Sequence, residues 1–411
     1  MSKYVGTTSR GIRMPIIKKG DNLANIVVEN LLLASKNEPF PIKDRDVIAI
    51  TESVVARSQG NYASIDDIAQ DVHNKFGDGP LGVIFPILSR NRFSILLKGM
   101  ARGVKKIIVM LSYPSDEVGN ALITADQVYE AGINPYSDVL SLEKYRDLFG
   151  YRVHEFTGVD YVDYYKKLIE EQGAEAVIIF ANRAEAILNY TKKILTCDIH
   201  TRFATKRLLK DKGAELVLAL DDILNAPVDG SGYNEKYGLL GSNKATEETV
   251  KLFPRDGQPL VEAVQADLLE KTGKHFEVMV YGDGAFKDPQ GKIWELADPV
   301  VSPFHTVGLK GTPNELKLKY LALKGTPNEL KLKYLADNAY KGLKGKELAD
   351  AIKEDIKAKE KDLVGKMASE GTTPRQITDL LGSLCDLTSG SGDKGTPVVL
   401  IQGYFDNYAD E

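Results

Sequence analysis

Short apolar runs alternate with stretches of helical spacing along most of this chain, and no other feature restricts its fold as much. Residues 46–50 (Asp-Val-Ile-Ala-Ile), 105–111, 174–180, 193–197, 215–220 and 275–281 read as strands. Helical periodicity marks residues 161–172 and 205–212, and 343–367 has the composition of a long charged helix. Alternation of this kind predicts α/β layers with some parallel pairing. The expected fold is therefore mixed α/β (α+β) and multi-layered. With 411 residues the chain has room for two or three domains of ~100–200 residues. The pattern predicts a compact α/β unit at residues 141–260, set between parts at 1–140 and 261–411.

Charge and cysteine usage narrow the function classes. The net charge is −5, and the lysines between Lys310 and Lys366 are interleaved with Glu329, Glu347, Asp350, Glu354, Asp355, Glu360 and Asp362. That mixture suits a solvated helix face, so no nucleic-acid partner is expected. Cys197 and Cys385 are the only cysteines, which argues against a disulfide framework and fits a reducing cytoplasm. The start lacks the apolar core of a signal peptide and no run approaches the ~18 apolar residues of a span, so a cytoplasmic protein without a membrane partner is expected. His73, His154, His200, His275 and His305 show no metal-ligand spacing, and no G-x-S-x-G elbow occurs. Zinc and serine hydrolases are disfavoured.

Residues 309–322 are repeated without change at 323–336. Two copies are too few for a solenoid. Each carries a helix start, Thr312-Pro313-Asn314-Glu315 and Thr326-Pro327-Asn328-Glu329, with threonine as N-cap and proline at the first helical position. Pro327 inside a continuous helix would cost ~3 kcal/mol, so one copy is expected to start the helix and the other to form a separate turn or loop out.

The stretch best suited to ligand chemistry is Ser389-Gly390-Ser391-Gly392-Asp393-Lys394-Gly395-Thr396, which runs into the apolar segment 398–401. Glycines let successive amides converge on an anion and the lysine adds a point charge, so the loop is a phosphate-binding candidate; a ligand-free connection is the plain alternative. Gly390, Gly392 and Gly395 match G-x-G-x-x-G, but the loop follows a helical stretch and precedes a strand, the reverse of a dinucleotide fingerprint. Four further stretches share this character. Lys18 and Lys19 follow an apolar turn, as a phosphate contact or a surface charge pair. Thr51, Glu52, Ser53 and Arg57 follow the first clear strand, where the hydroxyls serve a phosphate or a helix cap. Asn134 and Asp138 lie in a turn with Ser137, as oxygen ligands of a hard cation or as ordinary turn formers. Asp283 stands between glycines at a strand end, as a Mg2+ or Mn2+ ligand or a Gly/Asp turn.

In order and spacing, Pro15–Asp21, Asp46–Gly60, Ala131–Asn134, the strand ending in Asp283 and Gly390–Gly403 resemble the nucleotide-dependent γ-glutamyl ligases of coenzyme F-420 biosynthesis, the coenzyme F-420-0:L-glutamate ligases. The resemblance covers roughly the first and last 140 residues. It implies a γ-glutamyl ligase-like fold with an inserted α/β unit, and a homodimer. It also implies amide formation between a small-molecule carboxylate and an amino acid, with GTP or ATP as co-substrate and Mg2+ or Mn2+ as cofactor. By position, Lys18, Glu52, Ser53, Arg57 and Ser137 fall where the family contacts GTP. Ser389, Gly390, Ser391, Gly392, Asp393, Lys394 and Gly395 match its nucleotide and second-metal loop. Asp283, with Gly284, Asn134 and Ser391, matches the metal ligands, and Asp283, Arg57 and Lys394 are the expected catalytic residues. Asparagine at 134 replaces a metal-binding aspartate, and Ser391 a longer polar or acidic side chain. A non-catalytic nucleotide or phosphometabolite-binding descendant is the alternative. Lys18, Asn134, Asp283 and Asp393 are expected around one cavity.

Overall fold

The computed structural model describes residues 5–38, 40–154, 157–282, 285–287, 294–296, 302–311, 334–357, 376–390 and 394–406. The chain divides into two compact units. One comprises residues 1–58, 256–285 and 296–411, the other 59–255 and 286–295.

The first unit is built on four strands in the spatial order Thr8–Ile12, Val398–Gln402, Val47–Thr51, Glu277–Tyr281. The last pair is parallel and the others antiparallel. Alternate side chains of the central strands point to opposite faces, and both faces are buried. Ile48, Ile50, Val278, Val280, Val398 and Leu400 meet the helices Leu23–Asn37 and Gly257–Thr272. Val47, Ala49, Met279, Tyr281, Val399 and Ile401 meet the helix Ile377–Ser389. This is a helix–sheet–helix sandwich. It explains why the apolar runs are continuous rather than alternating.

In the second unit five parallel strands lie in the order Glu175–Phe180, Lys106–Leu111, Leu81–Ile84, Lys193–Thr196, Leu216–Ala219, and Leu140–Ser141 pairs antiparallel at the Glu175–Phe180 edge. Numbered by sequence, the parallel strands run 3-2-1-4-5 in space, the doubly wound pattern. Strands Asn243–Lys244, Thr249–Lys251 and Tyr62–Ser64 form a separate antiparallel sheet. The helix Phe93–Gly103 packs on both Ile65–Phe76 and Tyr161–Glu171.

The unit boundary falls at residues 58 and 59, not near 140. The reason is the sheet: Leu81–Ile84 and Lys106–Leu111 pair with strands beyond residue 141 and share their core. The charged helix spans Gly345–Lys357. Residues 358–367 and the repeat's two helix starts, at Thr312 and Thr326, lie outside the described residues.

Candidate functional site

A cleft of about 430 Å³ opens in the first unit where four remote stretches of the chain converge. The central strand Val47–Thr51 passes directly into the helix Glu52–Gln59, and the Thr51 amide donates to the Pro397 carbonyl at 2.9 Å. The Met14 amide donates to the Gly395 carbonyl at 3.0 Å, and the Gly20 amide to the Ser58 carbonyl at 2.8 Å. Arg57 Nε donates to the Ile17 carbonyl at 2.6 Å, which fixes the guanidinium at the cleft. Backbone bonds thus hold residues 14–20, 51–58 and 395–397 in one arrangement before any ligand binds.

The walls are of two kinds. Thr51, Ser53, Arg57, Ser389 and Thr396 supply hydroxyl and guanidinium groups, while Met14, Pro15, Ile16, Ile17 and Val54 form an apolar side; Tyr281 also lines the cleft, with its hydroxyl buried. Tyr281 pairs in register with Thr51. Both therefore stand at the carboxyl ends of neighbouring parallel strands, the end at which α/β sheets gather ligands. Tyr281 was not singled out from the sequence, although it is the last apolar residue before Gly282-Asp283-Gly284 and that position was the available signal.

The C-terminal loop leaves the helix Ile377–Ser389 through Gly390, whose φ of 60° and ψ of −149° belong to glycine alone. Its amide donates to the Asp386 carbonyl, and Thr396 Oγ1 donates to the Ser389 carbonyl at 3.1 Å, closing the loop's base. Gly11 stands against this base: a Cβ there would lie 2.8 Å from the Thr396 Cβ. The loop links a helix to a strand, as its sequence order requires. Lys394 is exposed and its side chain lies over Gly390.

The cleft brings together Ser53, Arg57, Ser389, Gly390 and Gly395 of the residues named from sequence. Lys18 is exposed in a turn whose amide donates to Asp21 Oδ2 at 2.7 Å, next to the lining residue Ile17. Glu52 is 2% exposed and is not among the lining residues. Asp283, Gly284, Ser391, Gly392 and Asp393 lie outside the described residues.

Asn134 and Ser137 belong to the second unit. There Ser137, Asp138, Asn182 and Arg183 line a separate cavity of about 290 Å³. Asn134 Oδ1 accepts the Tyr136 amide at 3.0 Å, and its own amide donates to Asp138 Oδ2 at 2.9 Å. That bond and the Ser137 hydroxyl, 2.8 Å from Oδ1, hold the Asp138 carboxyl below the usual range. The turn is therefore braced by its own side chains. Among the described residues no three His, Cys, Asp or Glu side chains gather in a way that could hold a metal ion.

The first unit is thus a layered α/β fold whose cleft offers a guanidinium, hydroxyls and an apolar wall. The chain belongs to the F420-0:gamma-glutamyl ligase family, whose model matches residues 11–403, a span that includes the second unit. Membership supports a ligase activity. The chain has no match among curated proteins. No helix among the described residues is long and apolar enough to cross a membrane.

Proposed function

We propose that the chain is a nucleotide- and divalent-metal-dependent ligase that joins a small carboxylic acid to an amino acid through an acyl phosphate. The observation that carries this reading is the meeting of Ser53, Arg57, Ser389, Gly390 and Gly395, from segments more than 300 residues apart, at one cleft in a chain of a ligase family. The substrate carboxylate attacks the γ-phosphorus of GTP or ATP, the bond to the β-phosphate oxygen breaks, and the nucleoside diphosphate leaves. The amine of the second substrate then attacks the acyl carbon, loses a proton and expels inorganic phosphate.

The chain's part in this is positioning and charge neutralisation. With Nε committed to Ile17, the terminal nitrogens of Arg57 present a fork to phosphate oxygens, and Lys394 adds a second positive charge. The hydroxyls of Thr51, Ser53 and Ser389 orient those oxygens, and the apolar side keeps water from the acyl phosphate. A divalent cation supplies further neutralisation when bound. Of its expected ligands only Asn134 is described, and Oδ1 of that residue is engaged by the Tyr136 amide, so no step is routed through the metal. A homodimer in the cytoplasm completes the reading.

The test is phosphate release and mass-spectrometric detection of the amide, with GTP or ATP, Mn2+ and a panel of carboxylates and amino acids. Nucleotide-dependent amide formation that is lost in Arg57→Ala supports the ligase. Nucleotide binding without phosphate release across the panel supports instead a binding protein, the reading that the Asn134 turn favours.

A further inference from the structure

The parallel sheet of the second unit carries a binding geometry that the ligase reading does not use. Its strand order reverses between Leu81–Ile84 and Lys193–Thr196, and in open sheets of this kind a crevice for small molecules forms beyond the carboxyl ends of those two strands. The Cys197 amide still bonds to the Ile84 carbonyl at 2.9 Å, so the chain turns away only after it. Asp198, Ile199 and His200 follow. The amides of Ile199 and His200 converge on one carboxylate, that of Glu117, at 2.5 and 3.3 Å from its two oxygens. They precede the ten-residue helix Arg202–Asp211, whose start has no side-chain cap and favours negative charge. Asp198, only 2% exposed, lies beside them. Its Oδ2 accepts the hydroxyls of Thr201 and Thr205 at 2.6 and 2.8 Å, whereas its buried Oδ1 has no hydrogen-bond partner among the described residues. A buried carboxylate oxygen without a donor is costly, and a cationic N–H group would relieve it.

We propose that this crevice binds a free α-amino acid: the ligand's carboxylate takes the Ile199 and His200 amides in place of Glu117, and its ammonium group donates to Asp198 Oδ1. Glu117 itself shows that the two amides donate to a carboxylate. A phosphate would place a second negative charge against Asp198, and the described residues gather no metal-binding cluster here. Glu117 is exposed, and its loop is held independently by Asp116, which accepts the amides of Leu88, Val118 and Asn120. Rotation of the Glu117 side chain alone therefore clears the site. The residue acts as a built-in competitor that sets the ligand concentration needed.

The full-length protein is titrated with the common L-amino acids by thermal unfolding and calorimetry, and any binder is compared with its analogue lacking the amine. Glu117→Gln should tighten binding about tenfold and Asp198→Asn should weaken it at least about tenfold, the size expected for a charged hydrogen bond. The deaminated analogue should not bind. Arg57→Ala, which alters the cleft of the first unit, should leave this binding unchanged, so that failure here is distinguishable from failure of the ligase reading. The proposal is overturned if no L-amino acid binds wild type or Glu117→Gln at millimolar concentration. It is equally overturned if the deaminated analogue binds as well as its parent, an outcome that does not depend on Asp198→Asn folding.

Discussion

The Lys394 side chain folds back over Gly390 so closely that a methyl group on that glycine would stand 2.6 Å from the lysine Nζ. The helix end, the loop's sharp turn and its positive charge are thus one arrangement. The glycine is needed twice, once for its backbone angles and once for the room it leaves.

Gly390→Ala should therefore destabilise the protein by about 1–3 kcal/mol, from backbone strain, and displace Lys394 from its place over that glycine. Denaturant unfolding reads the first effect. A fall in nucleotide-dependent phosphate release that approaches that of Lys394→Ala, with no further fall in the double variant, reads the second.

Arg57 is anchored by one nitrogen and presents the rest of its fork to the cleft. Arg57→Ala should lower kcat/KM about 10²–10³-fold, as loss of one preorganised charge-stabilising group does elsewhere. Arg57→Lys should recover only part of the loss, because a point charge cannot replace both the anchor to Ile17 and the fork. Steady-state kinetics on the two variants check this.

Much of this architecture was legible because burial leaves a simple trace. Val47, Ile48, Ala49 and Ile50 are all 0% exposed, so that strand shows as an unbroken apolar run; Lys106–Leu111, Glu175–Phe180 and Val398–Gln402 were legible in the same way. Thr8–Ile12 left no such trace: its first four residues are half-buried and mostly polar, and pairing with Val398–Gln402 makes it a strand. Leu81–Ile84 is short and contains Gly82, over which the Ile187 side chain packs. Missing that strand hid the unit boundary, since sheet order joins residues 59–140 to residues 141–255. At the site, hydroxyl, glycine and lysine patterns pointed to Ser53, Arg57 and the C-terminal loop. For Tyr281 the only local signal is its place before Gly282-Asp283-Gly284, because its position at the cleft comes from register with Thr51.

Asp46 immediately precedes the central strand, at the end remote from Thr51. It is 1% exposed, and its Oδ2 accepts the Lys43 amide at 2.7 Å and Gln402 Nε2 at 2.6 Å. Burial outweighs both bonds and pushes its carboxyl up to about 6. A folded value above the unfolded one means that its stabilising contribution is complete below pH ~4 and lost as pH rises through about 6. Asp46→Asn should be more stable than wild type above pH 6, by up to about 3 kcal/mol, and equal to it near pH 4. Urea unfolding across this range checks the sign.

Asn134 Oδ1 receives the Tyr136 amide, and an aspartate oxygen would receive it equally well. Asn134→Asp should leave stability within about 0.5 kcal/mol and tighten the apparent affinity for Mn2+ about tenfold through the added charge. Metal-dependence curves of phosphate release measure it.

The most direct test of the proposal that the cleft holds a nucleotide is the thermal unfolding of wild type and Arg57→Ala with GTP and with ATP in the presence of Mn2+. A bound nucleotide at ~100 times its Kd stabilises wild type by ~2.7 kcal/mol, and the account predicts that this gain disappears in Arg57→Ala. No shift in wild type with either nucleotide, or an equal shift in the variant, would contradict it.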